Sequence, residues 1–452
     1  MPSTEVKTGR NQKSSAARHL NVAVAVGVLL VLLTYLVVSQ QFAFRVPYVV
    51  ITKAQHSTDK LLPKVSGEKE EGKVVCSSEG HFSESCEING DVRVNGTSRS
   101  VFLVPTSRSE RQEWKIRPYP RKEVEAIKKV TVTQLPDRSA AAPHCTATYA
   151  APAVLFALGG LTGNIYHDYA DVLVPLFVAS RRYDGEVQFL VANLSDRPWW
   201  PGKYKTLLRR MSKYDVVDLD ADAHVRCFRH LTLGLHMYKE FTILPDQQQS
   251  LTMTDFTRFQ REAYGLPRHE AANLARDPNA KPRLMLLHRG HYRKFVNEQE
   301  VVRAAEAAGF EVEVVELRFE MPIEEQARLL NSFDVLLGMH GAGLTTEVFM
   351  PPGGVLIQVV PFGKLEFIAR VEYDEPAADM GLKYIDYHIG IDESTLPETL
   401  GPDHPAVRDP DSVHRSGWLK VYEFYLQKQD IRVNITRFAP TLAQAMDHLR
   451  RH

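Results

Sequence analysis

The sequence lacks the features that would tie it to a nucleic acid or to a structural metal. Across 452 residues, 55 Lys and Arg balance 55 Asp and Glu, so no basic surface for a phosphate backbone is implied. Cysteine is scarce: Cys76, Cys86, Cys145 and Cys227 are the whole complement, and their spacings match no zinc-ligand pattern. Small residues of the kind that mark a signal-peptide cleavage site are missing after the apolar run between Leu20 and Val38.

That run follows Lys7, Arg10, Lys13 and Arg18, and its length nearly spans a hydrocarbon core. Residues 1–18 therefore read as a cytosolic tail, 19–39 as a transmembrane signal anchor, and 40–73, polar with scattered prolines, as a stem that cannot bury a core. Everything after the anchor falls on the luminal side, where the cysteines can pair, Cys76 with Cys86 first and Cys145 with Cys227 next. Sequons at Asn95, Asn193 and Asn434 accord with that compartment.

The stretch 283–361 carries the clearest fold signal. Aliphatic runs at 284–287, 311–315, 335–337 and 355–360 suit strands buried on both faces, hence a parallel sheet. Between them lie helical patterns, one starting at Asn297 with Glu300 and ending at Gly309, the next opening with Pro322 and Ile323. Such sheets bind ligands at the carboxyl ends of their strands. Two loops fall there: His288-Arg289-Gly290-His291-Tyr292-Arg293 and His340-Gly341-Ala342-Gly343-Leu344-Thr345. The arginines can grip a diphosphate, the glycines let the backbone approach it, and a helix start near Thr345 would offer amides.

A second sheet pattern starts earlier. Strands are expected at 153–157, 187–191, 216–219 and 225–228, with helices at 165–182 and 204–211, and a linker near 268–281. This describes another Rossmann-like half, preceded by a hairpin or meander over 86–104 with Asn-Gly turns at Asn89 and Asn95. Residues 114–143 read as loop-rich, with a strand at 130–132. The expected architecture is α/β of GT-B type: an N-terminal Rossmann-like domain, 74–275, and a nucleotide-binding Rossmann-like domain, 276–452, facing it across a cleft.

In the first half, Gly159-Gly160-Leu161-Thr162-Gly163-Asn164 leads into a helix start carrying His167, Asp168 and Asp171. A histidine beside an acid can act as a general base. The alternative is structural, with His167 packing the helix start and Asp168 neutralising its dipole. Trp199-Trp200-Pro201 is either a sugar-stacking platform or core, and His236, Lys239 and Glu240 either line the cleft or form a solvated face.

CEINGDVRVNG, WKIRPYPRK, GGLTGNIYHDYADVLVPLF, the VQFLVAN and PWWPGKY pair, KPRLMLLHRG, MHGAGLT and VLIQVVPFG occur in an order that resembles plant glycosyltransferase family 61, in particular its grass xylan arabinosyl- and xylosyltransferases. The resemblance covers nearly everything from Cys76 onward. It implies an inverting, metal-independent Golgi type II enzyme that moves arabinofuranose or xylose from a UDP-sugar onto β-1,4-xylan. Arg289 and Arg293 would then hold the diphosphate, His340, Gly341, Ala342, Gly343 and Leu344 would form the donor loop, and Glu366 would meet the ribose. His167 and Asp168 fall in the family's HD motif and become candidates for the base. Asp218-Leu219-Asp220 spells D-x-D, but it ends a strand of the acceptor half, away from the expected nucleotide. Thr346 stands where the family carries Asn, and Leu287-His288-Arg289 where it carries Ile-Ser-Arg. A non-catalytic Golgi scaffold or polysaccharide-binding partner, and a transferase acting on protein-linked glycans, are the competing readings.

Overall fold

The computed structural model describes residues 72–77, 82–138, 142–248 and 250–451. The expected tail, anchor and the stem up to residue 71 lie outside the described residues. Among the described residues no helix is long and apolar enough to cross a membrane.

Two sheets organise the chain. The first contains β1 (Lys73–Ser77), β2 (Ser85–Asn95), β3 (Ser100–Val104), β4 (Gln112–Ile116), β5 (Val130–Gln134), β6 (Ala147–Thr148), β7 (Ala153–Ala157), β8 (Gln188–Ala192), β9 (Val217–Asp218) and β10 (Val225–Leu233). The second contains β11 (Arg283–Leu287), β12 (Glu311–Val315), β13 (Val335–Met339), β14 (Val355–Val360) and β15 (Lys383–His388).

The second sheet is wholly parallel, in the order β12-β11-β13-β14-β15. Its three central strands are buried almost throughout, as their aliphatic runs require. The order reverses direction between β11 and β13, so a ligand crevice is expected where these two strands end. One strand, β15, escapes the sequence pattern because Lys383, Asp386 and His388 break its apolar run.

The first sheet departs from a plain Rossmann-like half. β7, β8 and β9 are parallel, and β10 lies parallel to β7, but β10 also runs antiparallel to β2, which joins the N-terminal meander into one mixed sheet of ten strands. The Asn95-Gly96 turn forms between β2 and β3. Asn89-Gly90 does not turn: it sits inside β2, where Asn89 Oδ1 meets His230 Nδ1 at 2.6 Å beside an irregularity in β10. Long pairing with β10 keeps the strand extended through that dipeptide. Both expected disulfides are present, Cys76–Cys86 and Cys145–Cys227.

One apolar core joins the two sheets. It takes in Tyr169 and Phe177 from the 165–181 helix and Phe256 from the Met253–Tyr264 helix. From the second half come Leu287, Leu330, Leu344 and Phe349. The halves therefore share packed side chains rather than only a linker, and the loops above that core are held in fixed relation.

Candidate active site

Among the described residues three helices contain a π-helical turn: Asp168–Leu173, Arg370–Asp374 and Tyr422–Gln427. Such turns cluster at functional sites because the extra residue re-aims the side chains around it. Here all three lie beside the residues singled out from the sequence.

The helix that begins at Ile165 is set by Asn164, whose Oδ1 accepts the Tyr166 amide at 3.0 Å. His167 follows, with a fifth of its side chain exposed, and its Nδ1 lies 3.1 Å from Asp171 Oδ2. That contact leaves Nε2 without a hydrogen-bond partner among the described residues. Asp171 is fully buried, accepts the Tyr119 hydroxyl at 2.7 Å and pairs with Arg121 at 2.8 Å. Burial works to raise its pKa, but the Arg121 charge, helped by His167, holds the carboxyl well below its ordinary range. Arg121 reaches onward to Glu240, bonding both its oxygens at 2.9 and 2.7 Å, and Glu240 also accepts the Tyr166 hydroxyl at 3.1 Å.

Asp168 is elsewhere. Its carboxylate is fully buried and accepts three bonds, from Gly163 N at 2.8 Å, Trp200 Nε1 at 2.9 Å and Tyr204 Oη at 2.8 Å. Saturated in this way, it fixes the Gly163 turn to the Trp200–Lys203 helix and offers nothing to an acceptor hydroxyl. The adjacent pair in the HD motif thus divides: His167 faces the opening and Asp168 braces it from behind, while the acid oriented towards His167 is Asp171.

Across from this network, β11 and β13 end side by side. Arg293 is buried, takes a left-handed backbone at φ 58°, and its Nε has no hydrogen-bond partner. A backbone strained in this way at a loop that carries charge is the pattern of a preorganised site. Gly341 explains how close the two arginines come. A Cβ there would stand 2.9 Å from Arg289 Nη1 and 3.1 Å from Arg293 Nη2, and the residue has φ 146°. Among the described residues no carboxylate lies within 4 Å of either guanidinium. Burial, then the neighbouring Arg289 charge, brings Arg293 down to about 9. Two desolvated, mutually repelling cations are an arrangement whose charge suits an anion.

His340 completes this group. Its Nδ1 accepts from Gln358 Nε2 at 2.8 Å, and Gln358 Oε1 accepts the Tyr384 hydroxyl at 2.6 Å, which leaves the ring proton on Nε2. Burial and the two arginines hold its pKa down to about 3, so the imidazole stays neutral and donates from Nε2. The rest of the glycine loop is steric. Gly343 has no side chain because a Cβ would strike Leu287, and Leu344 is buried in the core. The following helix is 3-10 and begins at Ala342 rather than near Thr345, since the Leu344 amide already bonds Gly341 O at 3.0 Å. Thr346 is buried and bonds Gly343 O, and His288 turns aside to Glu298 at 2.7 Å. Neither departure from the family pattern obstructs the arginines.

Glu366 is 56% exposed, 3.7 Å from His388 Nδ1, at a cavity of about 390 Å³ beyond the ends of β14 and β15, lined also by Pro361, Gly363, Lys364 and Arg408. That cavity is adjacent to the arginine pair in the strand order.

Sequence reasoning missed Tyr119, Arg121, Gln358 and Glu372. Glu372 lies on a π turn, 3.8 Å from His340 Nε2, and is raised to about 8 by burial and by the Glu240 charge, with Arg121 and Arg293 opposing. It sits between the arginine group and the His167 network. Gln358 had one legible signal, a lone amide in the buried run VLIQVV. Of the other cleft candidates, Glu240 joins the network, Lys239 pairs with Glu375 at 2.7 Å, and His236 bonds Ser85 instead. Asp218 and Asp220 are engaged locally: Asp218 accepts the Asp220 amide, and Asp220 accepts the Asn193 amide and pairs with Arg99.

The sequons also divide. Asn434 is exposed at the start of the Ile435–Arg451 helix, and Asn95 is partly exposed at its turn. Asn193 is only 8% exposed and bonds Arg99 and Asp196 through its side chain, so it is not presented as a glycan acceptor.

The Glycosyltransferase 61 family model matches residues 165–357, which hold His167, Asp171, Glu240 and the two loops, while Tyr119 and Arg121 precede that span. A beta-1,2-xylosyltransferase of Oryza sativa subsp. japonica is 39% identical over 397 residues, covering 83% of this chain and 84% of the relative. The chain belongs to glycosyltransferase family 61. Among other family 61 relatives, an alpha-1,3-arabinosyltransferase of Oryza sativa subsp. japonica is 43% identical over 83% of this chain, which spans 66% of that relative's length. A xylan glycosyltransferase of Arabidopsis thaliana is 35% identical, over 85% of this chain and 81% of its own.

Proposed function

We propose that the protein transfers a pentose, arabinofuranose or xylose, from a UDP-sugar to β-1,4-xylan with inversion. The observation that carries this is the convergence of Arg289 and Arg293 over Gly341, opposite the His167–Asp171 pair. The printed names of the family 61 relatives support the sugar class and the acceptor. In this reading the folded part is a GT-B type pair of Rossmann-like domains, and the luminal side of a Golgi type II membrane protein. Two disulfides accord with an oxidising lumen.

The chemistry is a single displacement. His167 Nε2 takes the acceptor hydroxyl's proton while that oxygen forms a bond to the anomeric carbon. The bond from that carbon to the β-phosphate oxygen breaks, and its electron pair leaves with UDP. Asp171 fixes the ring and stabilises the imidazolium that forms. Arg289, Arg293 and the His340 Nε2–H group take up the charge on departing UDP, a role that needs no metal. The nucleoside would occupy the cavity beside Glu366 and His388.

A donor screen tests this. The chain from about Lys73 onward is incubated with xylo-oligosaccharides and each UDP-pentose in EDTA, and products are read by mass. Pentose addition supports the reading. A folded protein that neither transfers nor binds any UDP-sugar, even with metal restored, would point to a non-catalytic scaffold.

A further inference from the structure

Trp199 and Trp200 have opposite fates. Trp200 is buried and donates to Asp168, whereas Trp199 stays partly exposed and meets Phe319 from the other half, edge to face, with ring centroids 5.0 Å apart. Phe319 is 54% exposed. Lys203 places its ammonium 4.5 Å from the Phe319 ring centre and 5.6 Å from that of Trp199. Among the described residues this ammonium has no carboxylate partner within 4 Å, and burial lowers its pKa.

The location matters as much as the composition. Trp199 follows the end of β8 and Phe319 the end of β12, so both rise from the strand edges that hold the candidate site. Trp199 borders the base loop, where a Cβ on Gly163 would stand 3.5 Å from its ring. On the other side, Gly290 of the arginine loop abuts Glu316, three residues before Phe319, at 3.1 Å by the same measure. Thr206 and Glu324, bonded at 2.8 Å across the halves, fix the seam nearby. The aromatic pair therefore continues the line that runs between the arginines and His167.

We propose that Trp199, Phe319 and Lys203 form a subsite for the polysaccharide acceptor, holding sugar units away from the one that receives the pentose. Pyranose rings present C–H faces that pack on aromatic rings, and their hydroxyls accept hydrogen bonds from an ammonium. A neutral β-linked chain lying along the seam satisfies both. This rests on the acceptor class argued above, so its test includes a measurement independent of transfer.

Binding of xylohexaose and of xylobiose is measured by tryptophan fluorescence, with UDP affinity measured by calorimetry, for the wild-type chain, Phe319→Ala and Lys203→Met. The exposed Phe319 can be truncated without opening a core. The expected result is about a tenfold loss of hexaose affinity in Phe319→Ala, a smaller loss in Lys203→Met, and unchanged UDP affinity. In transfer assays the KM for hexaose should rise more than that for xylobiose. Equal hexaose binding by wild type and Phe319→Ala, or no hexaose binding by wild type, overturns the subsite. Hexaose binding that depends on Phe319, in a protein that transfers no pentose, would sink the transferase reading and leave the subsite standing.

Discussion

His167 Nδ1 lies 3.1 Å from Asp171 Oδ2, one turn further along the same helix, and Asp171 is in turn held by Arg121 and Tyr119. The pair gives the imidazole a fixed orientation and leaves Nε2 without a hydrogen-bond partner among the described residues. His167→Ala should lower kcat by about 10²–10⁴ while leaving UDP affinity intact. Asp168→Asn should act on the fold: its NH2 replaces one carboxylate oxygen, so either the Tyr204 hydroxyl or the Gly163 and Trp200 N–H groups lose an acceptor, lowering stability by about 1–3 kcal/mol. Thermal unfolding beside turnover at saturating donor separates the two. A fully stable Asp168→Asn with the turnover loss of His167→Ala would return the base to Asp168.

Removing either arginine should weaken UDP binding by about 10–100-fold, because each supplies charge-assisted bonds in a desolvated loop. Lysine at these positions keeps the charge and loses the planar fork, so Arg293→Lys should recover only part of the affinity. Gly341→Ala leaves both arginines in the sequence and crowds them, since its Cβ would meet Arg289 Nη1 at 2.9 Å. Calorimetry with UDP should therefore place Gly341→Ala between wild type and Arg289→Ala. Wild-type affinity in Gly341→Ala would mean that the guanidiniums do not close over this residue.

Glu372 gives a pH signature. Its folded pKa of about 8 lies above the ordinary 4.5, so the folded protein holds a proton that the unfolded chain has released. Stability should fall as pH rises between these two values and level off above the upper one. Glu372→Gln, which mimics the protonated carboxyl, should flatten that slope in melting curves taken from about pH 5 to pH 9. An identical slope in the variant would assign the pH dependence to other groups.

The disulfide between Cys145 and Cys227 closes a loop of 82 residues and ties the segment before β7 to β10. Replacing both cysteines by serine should cost about 4 kcal/mol, chiefly by freeing the unfolded chain. The loss should appear as a lower denaturation midpoint under non-reducing conditions. Wild type with dithiothreitol should shift towards the variant.

The sequence by itself determined the features that depend on near neighbours. Aliphatic runs specified β11 to β14, Gly and Arg in the following loops marked the crevice, and cysteine scarcity narrowed the pairing to a choice the structure resolves in favour of Cys76–Cys86 and Cys145–Cys227. The family motifs named His167 and both arginines. Tertiary structure decided which groups act on them. Arg121 meets Asp171 across 50 residues and Glu240 across 119, and Gln358 reaches back 18 residues to set the His340 tautomer. The i,i+4 spacing put His167 and Asp171 on one face, but Asp168 and Asp171 looked alike in sequence until packing gave one to Trp200 and Tyr204 and the other to Arg121. A buried carboxylate takes its role from the donors that surround it, and those donors come from segments joined only when the two sheets share a core.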